Sequence, residues 1–325
     1  MTLRKPGPRP AVIGTCTLSL RDINDPHQLL ANGLDMIDSM AEEADRKGLK
    51  LDIVALPETF ALPSGSLPAE DGEDLHGRTV TAVAEKARAY GTYAVVPMYL
   101  RQAEAVHNSA VLLDRQGEPV GFYHKAFPVV LPDGSIEQGI TPGREFPVFE
   151  TDFGRVGLQI CWDAVFDDGW CALASQEAEL VVMPSAAPTL PLVISHAYRH
   201  QYYVVSSVMR PPSVITNPQG RVVAQSSKNK EVAVTQVDLD YRVVPSTFLW
   251  QRGDELKKKY GDIIDWNWHD AEGSCLMTSS DPEVPIGRFL QTEGIMTLTE
   301  WIAYNRRRVE DARGAVRRPS GETVA

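Results

Sequence analysis

"GRVGLQICWDAVFDDGW", residues 154–170, runs an apolar strand into a cysteine and follows it at once with Trp162 and Asp163. Period-two alternation puts Val156, Leu158 and Ile160 on one face and Gly157, Gln159 and Cys161 on the other. The strand predicted over about 155–161 therefore carries its thiol at the last position, off the greasier face. Buried cysteine commonly serves as a small hydrophobe. A thiol at a strand end also suits nucleophilic chemistry, because backbone N–H groups of the loop that follows can point at a carbonyl oxygen. On this stretch alone both readings of Cys161 stand.

Working outward, strand-like segments recur at about 11–20, 106–113, 119–124, 179–184, 203–209, 213–216 and 231–239, and in the short runs "LDIVALPE" and "TYAVVPMYL". Helical patterns separate several of them. Asp25-Pro26 supplies an N-cap and a first-turn proline, after which Leu30, Leu34, Ile37, Ala41 and Ala44 share one face; a second helix is predicted near 77–90. Strands interleaved with helices predict an α/β fold. Pro57, Pro97 and Pro184 each end a buried run, and such strand ends are where loops and sites are built. From about 246 the periodicity weakens while Trp250, Trp266, Trp268 and Trp301 accumulate, which predicts an ordered extension packed on the core or on a neighbouring subunit. The expected division is thus a catalytic domain over 8–245 and an extension over 246–325. In that extension "TLTEWIAYNRRR" opens a late helix with a Thr297/Glu300 capping box, and the tail is loose after about 313.

The 325 residues are 43% hydrophobic and 23% charged, an ordinary globular balance that argues against disorder and fibrous architectures. A formal charge of −11 repels polyanions, so a small molecule rather than nucleic acid or a membrane surface is the expected partner. Cys16, Cys161, Cys171 and Cys275 are too scattered for a disulfide framework or a zinc site, which fits a reduced, cytoplasmic protein. Arg4, Lys5 and Arg9 before "AVIGTCTLSL" imitate a signal peptide. That run is broken by Thr and Ser and leads into a capped helix, so it reads as the first strand.

Two further residues invite chemistry. Glu58, in "LPETF", follows a buried run and precedes Phe60; partial desolvation there would raise its pKa toward the range of a useful base, although a surface loop acid fits the position as well. Lys125, in "YHKAFP", has Tyr123, Phe127 and Pro128 around it and could stabilise a thiolate or an oxyanion, although a lysine after a strand is more often simply solvated. Taken together, "LPETF", "YHKAFP" and "GLQICWD" resemble the carbon–nitrogen hydrolase family, also called the nitrilase superfamily. Its members carry Glu, Lys and Cys in this order at strand ends, and the separations here of 67 and 36 residues are family-like. "LVVMPSAAP", "YYVVSSV" and "SVITNPQGRVVAQ" extend the resemblance over roughly residues 8–240. "SIEQGITPG" offers Glu137, before Pro142-Gly143, as the family's second glutamate. The pattern departs at "AVFDDGW", with Asp167-Asp168 where an aromatic-Pro-Glu sequence is usual, and at "SHAYRHQ", which brings His196, Arg199 and His200.

The resemblance implies a four-layer α-β-β-α sandwich and hydrolysis of a small amide or N-carbamoyl compound through a Cys161 thioester. Glu58 would be the base, Lys125 and the Trp162 N–H the oxyanion donors, and Glu137 a residue holding Lys125 and Glu58. No metal or organic cofactor is required, and a homo-oligomer, a dimer or a multiple of dimers, is implied. A nitrile substrate and a catalytically silent assembly subunit are the alternatives. Trp162, Phe60 and Phe166 are candidate substrate-pocket residues. The acidic loop "ALPSGSLPAEDGEDLHG", with Glu70, Asp71, Glu73 and Asp74, reads either as an attractor for a cationic substrate or as solvated surface.

Overall fold

The computed structural model describes residues 7–19 and 23–316. They fall into two compact units, Arg9–Leu239 and the segment from Asp240 onward together with the N-terminal residues through Pro8. In the first unit, strands β1 (Pro10–Cys16), β2 (Ile53–Ala55), β3 (Tyr93–Gln102), β4 (Ala105–Leu113) and β5 (Pro119–His124) come with helices α1 (Pro26–Arg46), α2 (Pro68–Asp71) and α3 (Arg78–Tyr90). There follow β6 (Val148–Glu150), β7 (Arg155–Leu158), β8 (Leu180–Ser185), β9 (Tyr203–Val208), β10 (Val214–Thr216) and β11 (Val222–Gln225), with α4 (Asp167–Ser175) and α5 (Leu190–His200). The last strand, β12 (Val232–Asp238), returns to β1 and completes a sheet of order β12-β1-β2-β3-β4-β5; the other sheet has order β11-β10-β9-β8-β7-β6.

Both sheets are mixed, and their central strands, β1 to β3 and β7 to β9, are buried along most of their length. β1 and β2 pack against β8 and β9. Hydroxyls tie the two sheets together where their backbones approach: Thr15 Oγ1 donates to the Ser206 carbonyl at 2.8 Å, and Ser207 Oγ to those of Cys16 at 2.8 Å and Ala55 at 3.1 Å. Outside the first sheet, α1 and α3 close a core that includes Leu30, Ile37, Met40, Val83 and Val96. Outside the second, α4 and α5 close another around Trp170, Leu173, Val193 and Val204. The layers therefore run α-β-β-α, as the resemblance implied.

Local chemistry explains the element ends. Asp25 caps α1 by accepting from the His27 N–H at 2.9 Å. The Asn217-Pro218-Gln219-Gly220 turn closes with Asn217 Oδ1 accepting from Gln219 and Arg221, and Gly220 takes the left-handed φ of 75° that its position demands. The prolines need one correction. Pro97 and Pro184 lie inside β3 and β8 rather than beyond them, because β2 stops opposite Val95 and β7 stops opposite Val182. From there each strand has lost a ladder partner on that flank, and a residue without an N–H is tolerated. These early endings open the space in which the candidate site sits.

The strand expected over 155–161 stops at Leu158, and Cys161 opens a 3-10 turn that continues to Val165. The strand expected over 11–20 stops at Cys16. Arg4 and Lys5 lie outside the described residues.

In the second unit, β13 (Tyr241–Pro245), β14 (Ile264–His269) and β15 (Ser274–Ser279) form an antiparallel sheet of order β13-β15-β14, covered by α6 (Gly253–Tyr260) and α7 (Ile286–Glu293). Its own core contains Leu256, Cys275, Met277, Phe289 and Leu290, with Trp266 and Trp268 partly buried against it. Trp301 packs edge-on against Phe248. Trp250 departs from expectation: 76% of it is exposed. The capping box at the start of α8 (Leu298–Val316) forms, with the Glu300 N–H donating to Thr297 Oγ1 at 3.2 Å and Thr297 N to Glu300 Oε2 at 2.8 Å. That helix carries the chain through residues 313–316, where a loose tail was expected; residues 317–325 lie outside the described residues. No described helix is long and apolar enough to cross a membrane.

Candidate active site

Glu58 follows the end of β2, Lys125 follows β5 directly, and Cys161 lies just past β7, so the three arrive at the C-terminal ends of strands from both sheets. Lys125 is 1% exposed and sits between two carboxylates, with its Nζ 3.0 Å from Glu58 Oε1 and 2.8 Å from Glu137 Oε2. Asn108, within β4, donates from Nδ2 to Glu58 Oε1 at 2.8 Å. The Ala186 N–H, beyond β8, donates to Glu58 Oε2 at 2.9 Å, and the Val129 N–H donates to Glu137 Oε2 at 3.0 Å. Glu58, Lys125 and Glu137 are thus one hydrogen-bonded cluster, and the Cys161 thiol faces it, within reach of Glu58, Ser185 and the Ala186 N–H.

The electrostatics correct one expectation. Burial alone would raise the Glu58 carboxyl, but the Lys125 charge, with contacts from Lys125, Asn108 and Cys161, outweighs it and holds Glu58 below its ordinary value. A sequence cannot show that the compensating ammonium shares the pocket. Burial, and next the Glu58 charge, push the Cys161 thiol up to about 12, so the resting pair is a neutral thiol beside an ionised carboxylate. Burial works against the Lys125 ammonium too, yet Glu58, Cys161 and Glu137 keep it well above the usual lysine range. The other buried thiols, Cys16 and Cys275, are also pushed up to about 12 by burial. All four cysteines are unbonded.

Three of the six non-glycine residues with left-handed φ among the described residues lie at these places. Cys161 has φ 47°, Thr59 beside Glu58 has φ 46°, and Gln138 beside Glu137 has φ 48°. Non-glycine residues in this region cost about 1–3 kcal/mol each and gather where a side chain must be aimed.

Asp163, absent from the sequence-level candidates, ties the thiol's turn to the lysine's loop. It accepts from the Ile160 N–H at 2.9 Å, from the Phe127 N–H at 2.9 Å and from the Tyr123 hydroxyl at 2.8 Å. The same hydroxyl accepts from the Ala126 N–H at 3.1 Å. Burial pushes the Asp163 carboxyl up to about 6 against these donors. In the sequence it stood out only as the acid directly after Cys161-Trp162, where the family resemblance reads it as amidase-like, with no sign of these contacts. Asp163→Ala orphans three buried donors, each at about 1–3 kcal/mol. The expected result is a stability loss of several kcal/mol in urea denaturation; a midpoint within experimental scatter of the parent's would remove Asp163 from this structural role.

The pocket candidates fare differently. Phe60 is fully buried in the first core, its ring against α1 so closely that a Cβ at Gly33 would sit 2.3 Å from it, so it is a packing residue. Phe166 stacks on Phe127 with ring centroids 4.1 Å apart. Trp162, next to the thiol, is 42% exposed. The cavity that adjoins the site, of about 590 Å3, is walled instead by Thr59, Tyr99, Gln138, Ala186 and Arg210, among others. The acidic loop is occupied with its own backbone: Asp71 accepts from the Leu67 N–H, Asp74 from the His76 N–H, and Glu73 from the Thr79 N–H and hydroxyl. Two departures from the family pattern meet each other, since Arg199 makes a two-pronged pair with Asp167 at 3.1 Å, while His196 stacks on Trp170.

The chain is 27% identical over 199 residues to N-carbamoylputrescine amidase of Arabidopsis thaliana, covering 50% of this chain and 65% of that protein, slightly under two thirds of its length. It is 27% identical over 238 residues to omega-amidase NIT2-A of Xenopus laevis, covering 65% of this chain and 84% of that one. The crystal structure of Saccharomyces cerevisiae Nit3, a member of branch 10 of the nitrilase superfamily, shares the fold with a TM-score of 0.61 at 18% identity, covering 78% of this chain and 95% of that one. The carbon–nitrogen hydrolase profile matches residues 17–243, the stretch that supplies Glu58, Lys125, Glu137 and Cys161, and the chain belongs to that family.

Proposed function

We propose that the protein hydrolyses a C–N bond of a small amide or N-carbamoyl compound, with Cys161 as nucleophile and Glu58 as base. The observation that carries this reading is a neutral thiol facing a carboxylate that Lys125, Asn108 and Ala186 hold ionised. As the sulfur attacks the carbonyl carbon, Glu58 takes the thiol proton. The oxyanion is met by Lys125 and by the Trp162 N–H, which lies in the first turn of a 3-10 segment where amides lack a partner within the turn. Glu58 then passes its proton to the departing nitrogen, the C–N bond breaks, and a thioester remains. Water adds to the thioester carbon as Glu58 accepts its proton; collapse expels the sulfur, which recovers that proton. Glu137 fixes Lys125 and touches no reacting atom.

Both relatives named above are amidases, the reaction class proposed here. The test is a screen of amides, N-carbamoyl compounds and nitriles with both ammonia and the organic product identified, and with Cys161→Ser as control. An acid released from an amide or N-carbamoyl substrate by the parent alone supports the proposal. Turnover confined to nitriles, or turnover of nothing by the folded parent, overturns it.

A further inference from the structure

Arg210 is the charged side chain among the described residues that wall the 590 Å3 cavity. The rest of that wall is neutral, with Asn24, Thr59, Ser64, Tyr99 and Gln138 supplying its polar groups. Arg210 is exposed and makes no ion pair or hydrogen bond with another described residue. The nearby cation Lys125 is already held between Glu58 and Glu137. In a chain of net charge −11, an uncommitted guanidinium in a cavity wall is a local reversal of the overall field.

Its position relative to the reacting groups follows from the sheet register. Ser185 and Val208 are partners in the parallel pair β8 and β9. Ala186, whose N–H holds Glu58, and Met209-Arg210 therefore leave the sheet side by side, on strands about 4.8 Å apart. Cys161 follows β7, the parallel neighbour of β8 on its other flank, so a substrate with its reacting carbon at Cys161 and its far end toward Arg210 crosses two strand spacings, about 10 Å between backbones, part of which the arginine side chain spans. Guanidinium recognises carboxylate by paired hydrogen bonds and repels ammonium.

We propose that Arg210 is the substrate-selecting residue, binding the carboxylate of a short ω-amide or N-carbamoyl acid, and that cationic amides are excluded. This rests on the hydrolase reading and specifies its substrate class. The acidic loop, the other feature bearing on substrate charge, does not compete, because Asp71 and Asp74 accept hydrogen bonds within their own loop, Glu73 accepts from the first turn of α3, and none of the three lines the cavity.

The experiment compares 4-carbamoylbutanoate, its methyl ester and 5-aminopentanamide, with shorter homologues and the matching N-carbamoyl series, on the full chain. The parent is expected to favour the carboxylate over the ester by about 10- to 100-fold in kcat/KM, the range of a hydrogen bond to a charged group, mostly through KM. Arg210→Gln collapses that ratio toward one, Arg210→Lys retains part of it, and Arg210→Glu turns preference toward the amine. A parent that favours the amine, or an Arg210→Gln ratio equal to the parent's, overturns the assignment of Arg210 while leaving the hydrolase reading intact. Turnover of no member of the panel by the folded parent overturns the hydrolase reading itself.

Discussion

Cys161→Ser is expected to lower turnover of the best substrate by about 10^4-fold or more, the scale seen when a nucleophile is removed from a preassembled site. The reason lies in the proton balance of the resting pair. Glu58 is held below its ordinary value and the thiol is pushed up, so the proton transfer is uphill at rest and proceeds only as the substrate's oxyanion forms and is stabilised. A serine hydroxyl is a far weaker acid, and the same carboxylate cannot draw its proton. The substitution replaces one side chain at the mouth of a 3-10 turn and leaves Asp163, Tyr123 and Phe127 bonded as before, so far-ultraviolet circular dichroism and the urea midpoint should match the parent. Ammonia release surviving at more than a hundredth of the parent rate in a folded Cys161→Ser protein would refute the nucleophile assignment.

Lys125→Met should be strongly destabilising. It leaves Glu58 and Glu137 facing each other without their ammonium, and breaking a buried pair in this way costs about 3–5 kcal/mol. The pH dependence carries a definite sign. In the parent, Glu58 lies below its ordinary value, so its contribution to stability is present above that value and is lost as pH falls through the lowered one. Without the ammonium, burial dominates and the carboxyl rises; its contribution is then present in acid and lost as pH increases. The gap in urea midpoint between variant and parent should therefore be widest at neutral pH and narrow toward pH 4. A gap that stays constant across that range would show that Lys125 does not act on Glu58 by charge.

Much of the architecture could be read because its signals are local. Asp25-Pro26, the Asn217 turn and the Thr297/Glu300 box are each a few adjacent residues, and all form as expected. β14 also had a readable signal, since Ile264, Trp266 and Trp268 alternate with Asp265, Asn267 and His269, yet the tryptophans drew attention away from the period of two. The candidate cluster was legible as an order of residue types, Glu, Lys, Cys, and the structure brings those side chains together. What the sequence hid was the environment made by distant segments. Asn108 lies in mid-strand, the Ala186 N–H belongs to the backbone, and Arg210 follows a strand of the other sheet, so none carries a motif. The direction of the Glu58 shift was misread for the same reason: burial is visible locally, its compensation by Lys125 is not. Phe60 beside Glu58 suggested a pocket, but a single residue's rotation about the chain turned its ring into the core beneath α1.

Glu58 and Lys125 hang from one sheet, whereas Cys161 and the Ala186 amide hang from the other. Neither half holds a complete set of reagents, so chemical competence is a property of the docked pair. Mild heat or denaturant that lets the two layers slide apart should extinguish turnover while helices and strands persist, making inactivation an early and sensitive gauge of how firmly the sandwich is closed.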